Sequence, residues 1–127
     1  MLDKYLFLAV VLITLLFLLS GFRKTQNLTG TAKYLQSKVK LNIDFNLYKL
    51  GIISVIILQI FCPLIILYHI HTKKYQKYAK ISVNLLILFT ILATFLFHYP
   101  PVGKDYYSFM SNLSTIGGLM FVGHYIK

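Results

Sequence analysis

The stretch from Leu50 to Thr72 reads LGIISVIILQIFCPLIILYHIHT and holds no Asp, Glu, Lys or Arg anywhere along it. A helix needs about 20 such residues to cross a hydrocarbon core roughly 30 Å thick, so this segment predicts a transmembrane helix. Three more stretches of the same kind flank it: Tyr5 to Phe22, Ile81 to Gly103 and Tyr106 to Ile126. Together they take up most of the chain. The expectation is an all-α membrane protein, an antiparallel four-transmembrane-helix bundle forming a single domain over residues 1–127, with both termini on the same side.

Composition agrees with a bilayer as the solvent. Only 13% of the 127 residues are charged and 57% are hydrophobic, with a mean hydropathy of +0.71, whereas a soluble domain carries about a quarter of its residues as charge. The formal net charge is +10. The basic residues lie mainly in two connections between spans, which points to anionic lipid headgroups as partners rather than nucleic acid. They also divide almost evenly between the two sides, so the positive-inside rule assigns no orientation. Trp is absent, and many tyrosines, among them Tyr5, Tyr48, Tyr68, Tyr99, Tyr106 and Tyr125, fall near span ends, where an amphipathic ring suits the headgroup level.

Cys62 is the only cysteine, which rules out an intramolecular disulfide and a Cys-x-x-Cys redox pair, and with them the four-helix disulfide oxidoreductases. The first span has a charged start and an apolar run, as a signal peptide has. Cleavage after Ser20 or Gly21 would leave Leu18 or Leu19 where a small residue is wanted, so a retained helix is expected.

After the first span, Leu28, Ala32, Leu35 and Val39 recur at helical spacing opposite Lys33, Gln36, Ser37 and Lys40. This pattern reads either as a short amphipathic interfacial segment between helices 1 and 2 or as an ordered loop with a few buried anchors. Gly21 is expected to end the first helix and place Arg23 and Lys24 at the mouth of the bundle. The segment from Lys73 to Lys80 is expected to continue helically out of the membrane, and Pro100, Pro101 and Gly103 to force a tight reversal into the fourth span.

Few residues inside the spans carry chemistry. Pro63 has no amide to give the carbonyl of Gln59, so a helix kink and a polar carboxamide meet at bilayer depth. Gln59 reads either as a ligand or quinone contact or as a bond between helices. Ser108, Ser111, Asn112, Thr115 and Gly118 share one face of the fourth span, and Ser114 with Gly118 forms a small-xxx-small pair. Gly118 should therefore face another helix, with Val122→Leu tolerated far better than Gly118→Leu. The histidines make no convincing metal site, since His69 and His71 point apart on a helix and His98 and His124 lie near opposite faces; a haem held by a facing pair is the minor alternative. No hydrolytic triad, phosphate loop or intramembrane carboxylate pair is present. The Asn27-Leu28-Thr29 sequon lies too close to the membrane for ready glycosylation, and Asn112-Leu113-Ser114 is a chance match inside a span.

The end of the first span reads Leu19, Ser20, Gly21, Phe22, Arg23, Lys24, followed by Leu28, Thr29, Gly30, Thr31, Ala32, Lys33, Tyr34 and Leu35. Phe97 and His98 close the third span, and the fourth contains Phe109, Met110, Ser111, Asn112, Leu113, then Gly117, Gly118 and Leu119. In order and spacing this resembles the DoxX family of small four-helix membrane proteins. In that family a Ser-Gly pattern leads to a basic interfacial segment, a Phe-His closes the third helix and a Lys-Asn-Leu-x-x-x-Gly-Gly-Leu segment lies in the fourth. Gln59 stands where the family usually has glutamate, and Ser111 where a lysine precedes the asparagine. These departures remove an acidic and basic pair and, with it, the basis of a proton-linked role.

The resemblance implies a membrane subunit of the kind associated with thiosulfate and quinone oxidation, or an assembly helper for other membrane proteins. Two functional expectations follow. One is a non-catalytic subunit or accessory factor acting on another membrane protein, or on a second copy of itself, through intramembrane and interfacial contacts. The other is a quinone-contacting component of an oxidoreductase. The candidate binding residues are Arg23, Lys24, Gln59 and Asn112, and the structural ones Gly21, Pro63, Gly117 and Gly118. A quinone or a lipid is the candidate ligand, and no metal is expected.

Overall fold

A computed structural model describes residues 2–40, 42–97 and 102–126. The His98 motif position and the Pro100-Pro101 reversal lie outside the described residues. The architecture is all-helical: α1 (Leu2–Gln26), α2 (Leu28–Val39), α3 (Phe45–Thr72), α4 (Gln76–Phe97) and α5 (Asp105–Tyr125).

Three of these helices, over Lys4–Gln26, Phe45–Thr72 and Gln76–Phe97, are long and apolar enough to cross a membrane. They mark an integral membrane protein. Their outer faces agree: Phe7, Leu8, Leu12, Leu15 and Leu19 of α1 are all exposed, an apolar surface suited to lipid and not to water.

Helical periodicity sets what each helix turns inward. On α1 the buried residues are Val10, Thr14, Phe17 and Gly21, a single 3.6-residue stripe. It meets Cys62, Ile66 and Ile70 of α3, Ala79, Val83 and Leu86 of α4, and Leu119 and Val122 of α5 in one core. Three buried hydroxyls do not spoil this core, because they turn back on their own helices. Thr14 donates to the Val10 carbonyl at 2.8 Å, Thr90 to Leu86 at 2.7 Å and Thr94 to Thr90 at 2.6 Å.

Around the core α1 packs on α3, α3 on α4, α4 on α5, and α5 returns to α1 over a smaller contact. Among the described residues α1 and α4 do not approach one another closely. Helix α5 runs antiparallel along α4. Phe109 meets Phe95 edge-on, with ring centroids 5.9 Å apart, and at the other end a Cβ on Gly123 would lie 3.1 Å from Val83. Beyond that, the Lys73 ammonium donates to the Tyr125 hydroxyl at 3.4 Å.

Four sequence expectations change. Gly21 does not end α1, which runs on to Gln26. A Cβ on Gly21 would lie 3.0 Å from Ile60 and 3.2 Å from Gln59, so this glycine allows close approach to α3. The lysine-rich connection is only partly helical: it breaks at Lys73, in a left-handed conformation (φ 64°), before α4 opens at Gln76. Gly117 faces open space and is at no helix contact. Val122 is buried in the core, so it is no inert comparator for Gly118.

Helix α2 resolves the two readings of the amphipathic segment in favour of a helix. The Asn27 carboxamide caps it by accepting from the Gly30 amide at 3.3 Å, and Lys40 ends it in a left-handed turn at φ 57°. Its expected apolar face is the one that packs. Ala32 is fully buried against Tyr48 and Ile52, with Leu28, Leu35 and Val39 around them, so α3 covers this face while Lys33 and Lys38 stay exposed.

Candidate functional site

A partly open cavity of about 320 Å³ lies where α1 and α4 fail to meet, and all five helices line it. Helix α1 contributes Phe17, Ser20 and Lys24, and α3 contributes Gln59. Helix α4 adds Phe89, Thr90 and Ala93, while Asn112 and Thr115 come from α5. Thr31 and Tyr34 of α2 form its outer edge. The Tyr34 ring stacks on Phe97 with centroids 5.3 Å apart and planes 16° from parallel, tying α2 to the end of α4. Lys38 stands over the same ring at 5.5 Å.

The polar chemistry converges on Ser20. One helical turn separates it from Lys24, whose ammonium donates to the Ser20 oxygen at 2.6 Å. From α3 the Gln59 Nε2 donates to the same oxygen at 3.3 Å. With both lone pairs accepting, the Ser20 hydroxyl keeps its own proton free to donate.

Gln59 itself is not satisfied. It is 3% exposed, and its Oε1 has no hydrogen-bond partner. Such an oxygen costs about 1–3 kcal/mol. Exchanging the amide oxygen and nitrogen would only move the deficit to an N–H. Pro63, also buried, has no amide to give Gln59's backbone carbonyl.

Lys24 is half-buried and, among the described residues, has no carboxylate partner. The Asn112 carboxamide, half-buried on the α5 wall, makes no hydrogen bond to another described residue. Three of the four binding residues expected from the sequence thus share one cavity. Arg23 is exposed and does not line it.

Sequence reasoning missed Ser20 as the shared acceptor, and it missed the Tyr34–Phe97 edge. Ser20 stood inside the quoted Ser-Gly pattern, but only the fold shows that Gln59 reaches it. His69 serves the fold and not the cavity. Its Nδ1 lies 2.8 Å from the Lys74 carbonyl and, since a carbonyl only accepts, that nitrogen carries the proton and closes the α3–α4 turn. Among the described residues no three His, Cys, Asp or Glu side chains come together as a metal site would require.

Family models, curated proteins and solved structures yield no match to this chain.

Proposed function

We propose that the chain is a DoxX-like, four-span integral membrane protein acting as a non-catalytic subunit or accessory factor, and that its working site is the cavity around Ser20, Lys24, Gln59 and Asn112. The observation that carries this reading is the unpartnered Gln59 oxygen in the wall of a cavity lined by every helix. A buried polar atom left without a partner inside an otherwise self-satisfied core points to something bound from outside the chain. Among the described residues the lining offers donors, acceptors and one cation but no thiol, imidazole or carboxylate, a set suited to holding a molecule.

Helix α5 is the fourth span in this reading. Its 21 residues reach about 31 Å. It lies beside the spanning helix α4 from Phe95 to Val83, and its polar residues Asn112 and Thr115 line the cavity instead of facing lipid. Four crossings put both termini on one side. The exposed apolar faces leave room for another membrane protein or a second copy.

A quinone contact is the second reading, favoured by the Phe17, Phe89 and Phe97 rings beside donors Lys24 and Asn112. The unpaired Oε1 weighs against it: it calls for a donor, and an oxidised quinone has none. Purification in mild detergent tests the proposal by what stays with the chain. A retained polypeptide or amphiphile supports a binding subunit, a quinone spectrum supports the second reading, and a bare chain with an empty cavity overturns both.

A further inference from the structure

We infer that the cavity takes the head of an anionic phosphate lipid whose headgroup also offers a hydroxyl. This deepens the reading of the cavity as the binding site and rests on it. Three observations combine. Lys24 is a half-buried cation in the lining with no carboxylate among the described residues to balance it. An uncompensated charge leaving water is costly, and an oxyanion relieves it through charge-assisted hydrogen bonds. The Ser20 hydroxyl proton and the Asn112 amide supply further donors from α1 and α5. Among the acceptors of the lining, the Gln59 oxygen is the buried one without a partner, in a side chain that is 3% exposed. A headgroup joining a phosphate to a hydroxyl answers both demands, and turning the carboxamide about its soft last torsion brings its oxygen toward the ligand.

Size and lining add the amphiphile. At about 30 Å³ for each water-sized group, the cavity holds roughly ten non-hydrogen atoms, enough for a head and its first carbons but not for whole chains. Leu16, Phe17, Phe89 and Ala93 supply the apolar wall beside which those carbons would run.

The test uses the full chain, delipidated in a non-ionic detergent, with native mass spectrometry to count bound molecules and thermal unfolding as a second readout. The probes are phosphatidylglycerol, monoolein (hydroxyls without charge) and inorganic phosphate (charge without a chain). Phosphatidylglycerol should be retained about tenfold or more over either of the others and should raise the melting temperature. Lys24→Gln should remove that preference, Lys24→Arg should restore it, and Arg23→Gln, which deletes the same charge outside the cavity, should leave it intact. Monoolein binding as tightly as phosphatidylglycerol overturns the anion and leaves the cavity reading standing. Free phosphate binding as tightly overturns the lipid. Equal losses in Arg23→Gln and Lys24→Gln mean adsorption to a basic surface and overturn the site, while retention of no amphiphile at all overturns this inference and the binding reading together.

Discussion

Gly118 of α5 faces Ile13 of α1 so closely that a Cβ added at the glycine would lie 2.8 Å from Ile13 Cδ1. This contact helps close α5 onto α1, the smaller of the contacts around the core. Because the obstructing atom is the end of a flexible side chain, Ala should be accommodated by a swing of Ile13, whereas Leu cannot be. Gly118→Leu is expected to cost about 1–3 kcal/mol. Gly117→Leu, facing open space, should change stability by less than about 0.5 kcal/mol. Thermal unfolding in detergent, followed by exposure of the single buried thiol of Cys62, measures both. Equal tolerance of the two changes would contradict the packing of α5.

Gly21→Ala should be felt more sharply than its size suggests. Its new Cβ would meet Ile60 Cγ1 at 3.0 Å and Gln59 Cβ at 3.2 Å, so α1 and α3 must separate by a few tenths of an ångström. The loss expected is about 1 kcal/mol, with weaker ligand retention because the Ser20–Gln59 bond, already 3.3 Å long, spans the same gap. A neutral effect on both readouts would show that the helices have slack there.

Gln59→Leu separates stability from binding. It deletes the unpartnered oxygen and one long hydrogen bond, and fills similar volume with carbon. Folding should become more stable by about 1 kcal/mol, or stay unchanged, while retention of any bound amphiphile falls. A loss of stability above about 2 kcal/mol would make Gln59 a bond between helices and not a ligand group.

Cysteine labelling settles the crossings. In a Cys62→Ser background, single cysteines replacing Lys33 and Lys104 should react from one side of the membrane, and those replacing Lys4, Lys77 and His124 from the other. If the Lys104 and His124 positions react from the same side, α5 does not cross and the four-span reading falls.

The helical character and the three long apolar helices were legible in the sequence because lipid leaves no cheaper arrangement for long uncharged runs. The apolar face of α2 was legible for a similar reason: Leu28, Ala32, Leu35 and Val39 can share one face only on a helix. What covers that face was not legible, since both headgroups and α3 would serve. The ends of helices were misjudged where composition and hydrogen bonding part company. Arg23 and Lys24 are charged, yet they complete the last turn of α1: Arg23 stays exposed, while Lys24 turns back to Ser20, so neither charge ends the helix. Gln59 was visible as a polar residue inside an apolar span, and Lys24 as one of two charges at the mouth of the bundle. They meet at Ser20, which lies 39 residues before Gln59, and that depends on the close approach allowed at Gly21.

Helix α3 has 28 residues and is therefore about 42 Å long, well beyond a hydrocarbon core of roughly 30 Å. Beyond the uncharged run from Leu50 to Thr72 its extra residues are Phe45 to Lys49, where Tyr48 rests under α2. A helix too long for its bilayer normally tilts or thickens the lipid around it, at a cost that grows with each ångström of mismatch. Here α2 covers one face of those turns with protein, while Leu47 and Leu50 beside it stay exposed. On that face the turns of α3 do not have to be matched by lipid, and with α2 they would form a rim above the acyl chains, with the cavity edge at Tyr34 set into it. Bilayer thickness should then bear on how deep α1 and α4 sit while leaving the α2–α3 rim as it is.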